Sequence, residues 1–112
     1  MQIMRGGPGL ANKKIKALSS TEIQKRVPEL HGWRFSRGAL RCEFKFETFK
    51  KALAFVAKIG GMAEEANHHP DIDIRYCEVR LALSTHDVGG VSDLDFSLAS
   101  AIDRKSSPRK KA

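Results

Sequence analysis

Three histidines, His68, His69 and His86, fall within 32 residues of this 112-residue chain, bracketed by the carboxylates Glu64 and Asp95. Only one other histidine, His31, lies elsewhere. Imidazole has an unperturbed pKa close to neutral, so it can take a proton in one step and give one in the next. A small protein that gathers imidazoles and carboxylates in this way is a candidate for general acid–base chemistry. The same set contains zinc-ligand types. Adjacent His68 and His69 do not share a helix face as an HExxH pair does, however, so no metal site is assigned.

The hydropathy pattern supplies the elements that must carry these side chains. Ser19 and Glu22 have capping-box spacing, which opens a helix with Ile23, Val27 and Leu30 on one stripe, and Pro28 ends or redirects it. Trp33 to Phe35 and Leu40 to Phe46 alternate about Ser36-Arg37-Gly38, which reads as a hairpin. Glu47 to Ala66 switches to helical period, and its apolar residues cover more than the ~100° stripe of a helix packed on one neighbour. The helix then either lies deep against the sheet or also meets a second subunit. Gly60-Gly61 weakens it and Pro70 stops it.

Ile72, Ile74 and Tyr76 alternate as a short strand, with Tyr76 read as a packing residue. Val79, Leu81, Leu83 and Thr85 form a longer strand, and Gly89-Gly90 marks a loop. Ser92 caps a last helix, with Asp95 at the capping-box position and Leu94, Leu98, Ala101 and Ile102 on its buried face. The order is αββαββα. It predicts an α+β fold, a four-stranded antiparallel sheet with three helices packed on one face. His68 and His69 fall where the long helix ends. His86 follows the long strand on the side opposite Leu81 and Leu83, at the rim.

Composition bounds the rest. The length suits one domain, and no apolar run is long enough to span a bilayer. Met1 to Ala17 lacks the apolar core of a secretory signal, and Cys42 and Cys77 form no CxxC pair, so free thiols in the cytoplasm are expected. The net charge of +7 resides in the ends. Four basic residues lie in 1–17 and four in 105–112, whereas Leu18 to Arg104 holds twelve basic and all thirteen acidic residues. This distribution argues against specific nucleic-acid binding, although basic ends can attract polyanions weakly. Residues 1–17 read as a flexible basic leader, 18–105 as a single domain, and 106–112 as a disordered basic tail.

The pattern Glu64, three spacers, His68-His69-Pro70, five spacers, Tyr76, nine spacers, His86, eight spacers, Asp95 resembles the signature of the pterin-4a-carbinolamine dehydratases. Leu30-His31-Gly32-Trp33, Phe44-Lys45-Phe46, Leu83-Ser84-Thr85-His86, Leu98-Ala99 and Ile102-Asp103 extend the likeness over residues 18–104. Ile72 stands where some members carry an aromatic, and Asn67 where many carry aspartate.

The resemblance implies loss of water from a 4a-hydroxytetrahydropterin to give quinonoid dihydropterin, in tetrahydrobiopterin recycling. His68 and His86 would be the acid–base pair and His69 would chiefly hold the pterin. Glu64 and Asp95 would orient it or the histidines. It implies no cofactor, and a homodimer or homotetramer. The alternative is a non-catalytic pterin-binding or regulatory dimerisation partner. A further alternative, polyanion binding by the ends, predicts that removing 1–17 and 106–112 abolishes function.

Overall fold

Ser19 sits in extended backbone, and its hydroxyl accepts the Glu22 N–H at 3.1 Å while the Glu22 carboxylate accepts the Ser19 N–H at 3.1 Å. This capping box opens α1 (Ser20–Arg26), as its spacing predicts. Pro28 then redirects the chain into a 3₁₀ turn, Val27–Glu29. The computed structural model describes residues 15–105. The expected leader lies outside them up to residue 14, and the expected tail lies wholly outside.

Strands β1 (Arg34–Ser36) and β2 (Ala39–Lys45) are joined by Arg37-Gly38. Both turn residues have positive φ, 50° and 79°, the left-handed pair that a two-residue hairpin requires. After α2 (Phe49–Ala66) come β3 (Asp71–Arg75) and β4 (Glu78–Leu83). A 3₁₀ turn, His86–Val88, precedes α3 (Asp93–Lys105). The strands form one antiparallel sheet in the order β1-β2-β4-β3. The α+β architecture and element order match the sequence-based expectation.

Register explains why one face is dry. Leu40, Cys42 and Phe44 of β2 pair with Leu83, Leu81 and Val79 of β4, so all six point to the same side. All six are buried. Burying a side chain of the Leu or Phe class contributes about 1.5–3 kcal/mol. Ala52, Phe55, Ile59 and Ala63 of α2, and Phe96, Leu98, Ala99 and Ile102 of α3, complete this core. Phe55 lies between Phe44 and Phe46, with ring centroids 4.7 and 4.9 Å away. The other sheet face is charged. Arg34 grips Glu43 through two contacts of 2.7 and 2.8 Å.

Some local expectations change: Leu94, expected on the buried face of the last helix, is 36% exposed, and Phe96 and Ala99 are buried there with Leu98 and Ile102. Strand β3 stops at Arg75, and Tyr76 turns the corner into β4 with φ 52° and 75% exposure. Alternation alone places it on the strand as a packing residue, but a two-residue reversal needs a positive φ there, and the ring goes to solvent. Helix α2 runs through both glycines and ends at Ala66, where its period predicts, but Asn67 rather than Pro70 closes it. Asn67 adopts the left-handed conformation (φ 52°, ψ 41°), and its N–H is donated to the Ala63 and Glu64 carbonyls. Asparagine tolerates this conformation better than other residues with a Cβ.

Cys42 and Cys77 are buried and no disulfide joins them. Among the described residues no helix is long and apolar enough to cross a membrane.

Candidate active site

The left-handed Asn67 closes α2 and aims the next residues back toward α3. The His68 N–H still bonds to the Ala63 carbonyl at 3.1 Å, which ties the residue to the helix end. Its ring reaches the first turn of α3, where His68 Nε2 meets Asp95 Oδ1 at 2.6 Å. The His68 side chain is only 11% exposed and that of Asp95 is fully buried.

A buried carboxylate must be satisfied on both oxygens. Here Oδ2 accepts the Thr85 hydroxyl at 2.7 Å and the Ser92 N–H at 2.9 Å. Thr85 and Ser92 also bond to each other through their hydroxyls at 2.7 Å. Asp95 is therefore both the capping residue that its spacing suggests and the partner of a histidine. The box is only half formed by side chains, because the Ser92 hydroxyl accepts the Leu94 N–H at 3.2 Å. A carboxylate oxygen accepts, so the proton in the contact sits on His68 Nε2. A neutral His68 then presents Nδ1 as a base.

His69 forms a second histidine–carboxylate pair. Its Nε2 lies 2.6 Å from Glu64 Oε2, at the surface, with side chains 56% and 77% exposed. His86 opens its 3₁₀ turn and is exposed, as strand parity suggests. Among the described residues its side chain has no hydrogen-bond partner. It is linked to His68 through the chain: Thr85, one residue earlier, is buried and bonded to Asp95, which meets His68. Backbone bonds between Thr85 and Gly90 pin the base of this loop. His31 lies outside the set, at the surface.

Thr85 and Ser92 escape sequence reasoning as site residues. The available signal is a threonine in phase with Leu81 and Leu83, on the core side of the strand, followed by a Ser-x-x-Asp helix start.

Cavity size does not locate the chemistry. The larger groove, about 510 Å³, lies on the charged sheet face among Arg34, Arg37, Arg41, Asp71 and Asp73 and contains none of the three site histidines. A smaller groove, about 280 Å³, runs between α2 and α3. Met62, Ala66, Leu94 and Leu98 line it together with His68. Among the described residues, no three histidine, cysteine or acidic side chains stand close enough to hold a metal ion.

The fold and site define an α+β domain that presents carboxylate-backed histidines at the junction of its long helix and sheet. Residues 16–105 match the family model described as pterin 4 alpha carbinolamine dehydratase. A protein of Roseiflexus sp. (strain RS-1) named "Putative pterin-4-alpha-carbinolamine dehydratase" is 46% identical over 86 residues, 77% of this chain and 92% of the relative. A protein of the same name from Sulfolobus acidocaldarius is 42% identical over 87 residues, 78% of this chain and 96% of the relative. Among solved structures, a transcriptional coactivator/pterin dehydratase from Brucella melitensis superposes with a TM-score of 0.75 at 31% identity. The superposition covers 79% of this chain and 96% of that one. This chain belongs to the pterin 4 alpha carbinolamine dehydratase family.

Proposed function

We propose that this chain removes water from a 4a-hydroxytetrahydropterin to give quinonoid dihydropterin, as a step in tetrahydrobiopterin recycling. The observation that carries this reading is the part-buried 2.6 Å contact between His68 and Asp95, in which a carboxylate with both oxygens satisfied fixes an imidazole that lines a groove. The elimination takes a proton from a pterin ring nitrogen and delivers one to the departing 4a-hydroxyl. It is redox-neutral, so it draws on no electron carrier. His68 and His86 are the acid–base pair, because an imidazole can take one proton and an imidazolium can supply the other. His69, held by Glu64, binds the pterin. Asp95 orients His68.

The protein works in the cytoplasm as a homo-oligomer, a dimer or tetramer, with the pterin as its small-molecule ligand and no specific nucleic-acid target. The purified chain is expected to accelerate dehydration of the carbinolamine over buffer, followed by stopped-flow absorbance. No acceleration would overturn the reading.

A second reading, a non-catalytic pterin-binding or regulatory partner protein, is favoured by the exposed Phe49 and Leu53 on α2. It predicts pterin binding by calorimetry without turnover.

A further inference from the structure

The sheet face turned away from the helices holds the larger groove, about 510 Å³, and none of the residues assigned to dehydration line it. Most of its charges cancel in pairs. Arg34 grips Glu43, Arg80 meets Glu78 at 2.9 Å, and Asp73 meets Arg75 at 3.2 Å. The remaining charged side chains of the groove are Arg37, Arg41 and Asp71. Among the described residues, no carboxylate pairs with either arginine and no cation pairs with Asp71.

Register sets these leftover charges on opposite walls. Arg41 of β2 and Asp71 of β3 both pair with Ala82 of β4, which lies between them. With neighbouring strands about 4.8 Å apart, the two backbones stand roughly 10 Å from each other. The Arg41 guanidinium also leans away from Asp71. Its Nε donates to the Ser36 carbonyl at 2.8 Å and its Nη2 to the Arg37 carbonyl at 3.3 Å, both on the β1 side. These bonds keep the two charges apart and leave the guanidinium with further N–H groups to donate. Ala82 is half-buried, and its methyl makes a low, apolar floor between the walls.

The cationic wall is unfavourable for the fold by itself. Arg34 and Arg41 are direct cross-strand partners, and like charges opposite each other destabilise a sheet. Arg37 takes a left-handed turn position, φ 50°, where asparagine or glycine fits with less strain. Glu43 neutralises Arg34 but neither of the other two. An anion seated on Arg37 and Arg41 relieves this repulsion.

We infer that this groove binds a small zwitterion in which an aliphatic chain separates a carboxylate from an ammonium. The carboxylate lies on Arg37 and Arg41, the chain crosses Ala82, and the ammonium meets Asp71. Guanidinium suits the first contact because its forked N–H groups match the two oxygens of a carboxylate. Each wall repels the charge that the other accepts, so the ligand binds in one direction. A ligand whose charges sit on adjacent atoms is too short to reach both walls. The site shares no residue with the proposed dehydratase centre and stands independently of that reading.

Proton–nitrogen correlation NMR on the full chain at low salt, titrated with ε-aminocaproate, tests the site. Saturable shifts are expected at the amides of Arg37, Arg41, Asp71 and Ala82, weakening as salt screens the charges. Caproate lacks the ammonium, hexylamine the carboxylate and glycine the spacer, and each is expected to bind about tenfold or more weakly than ε-aminocaproate. Ala82→Leu, which fills the floor, and Asp71→Asn are each expected to weaken binding by about tenfold or more at an unchanged melting temperature. Asp71→Asn is near-isosteric at an exposed position, so it decides alone if Ala82→Leu fails to fold. No saturable shift, caproate binding as tightly as ε-aminocaproate, or binding indifferent to Asp71→Asn would overturn the inference. Asp71-dependent binding without dehydratase turnover would sink the proposed activity and leave this site standing.

Discussion

The Thr85 hydroxyl donates to Asp95 Oδ2 at 2.7 Å, while the other oxygen of the same carboxylate meets His68 at 2.6 Å. Thr85 thus supports one candidate catalytic histidine through its side chain, and its backbone leads directly into another, His86. Thr85→Val keeps the shape and removes one donor from a buried carboxylate. It should cost about 1.5–3 kcal/mol in urea unfolding and lower turnover, whereas Thr85→Ser should keep most of both. A Val variant that matches the wild type, with the loss confined to Ser, would show that the methyl group matters and the hydroxyl does not.

Asp95→Asn tests which nitrogen of His68 carries the proton. An asparagine presents one acceptor and one donor where the carboxylate had two acceptors. With the Thr85 hydroxyl and the Ser92 N–H still donating to the oxygen side, the amide NH₂ faces His68 Nε2 and makes it an acceptor. Nitrogen NMR of the ring should find the proton on Nε2 in the wild type and on Nδ1 in the variant. An unchanged tautomer would contradict the donor assignment.

The open sheet face gives a pH signature. The Arg34 guanidinium, hydrogen-bonded to Glu43, holds the Glu43 carboxyl below its ordinary pKa, and Glu43 in turn raises that of Arg34. A carboxyl whose pKa is lower folded than unfolded contributes stability that is fully present above its unfolded value and is lost as pH falls through the folded one. Arg34 is half-exposed, so solvent screens the pair. Arg34→Met should cost about 0.2–1 kcal/mol at neutral pH and nothing once Glu43 is protonated. Chemical denaturation at both pH values measures this, and a deficit that persists in acid would place the effect in packing instead.

Asp103 joins the start of the domain to its last helix. Its oxygens accept the His31 N–H at 2.9 Å and the Trp33 indole N–H at 3.0 Å. Trp33 is 5% exposed and packs edge-on against Phe44, 6.3 Å between centroids. Asp103→Ala leaves the part-buried indole donor unsatisfied, at about 1–3 kcal/mol. A lower urea midpoint with Trp fluorescence closer to that of the unfolded chain is expected. A stability equal to wild type would show that water replaces the carboxylate.

Much of the fold is legible in the chain because each element declares its own period. Leu40, Cys42 and Phe44 alternate, and Ala52, Phe55, Ile59 and Ala63 follow helical spacing; the structure uses both as written. What escapes is local backbone chemistry. Tyr76 takes positive φ where alternation suggests more strand, and Asn67 closes α2 with a positive φ where a downstream proline suggests the stop. The site is half legible. Residue type singles out His68, His69, His86, Glu64 and Asp95, but the pairing of His68 with Asp95 across 27 residues exists only once α2 and α3 pack on the same sheet face. Thr85 and Ser92 gain their roles from burial beside that carboxylate, and their spacing alone does not announce it.

The most direct test is stopped-flow absorbance of 4a-hydroxytetrahydropterin dehydration by wild type, His68→Ala and His86→Ala, each shown to be folded by circular dichroism. Wild-type protein should accelerate the reaction, and each variant should lose about a hundredfold or more of that acceleration. Either variant matching the wild type would remove that histidine from the acid–base pair. A folded wild type no faster than buffer would contradict the activity itself.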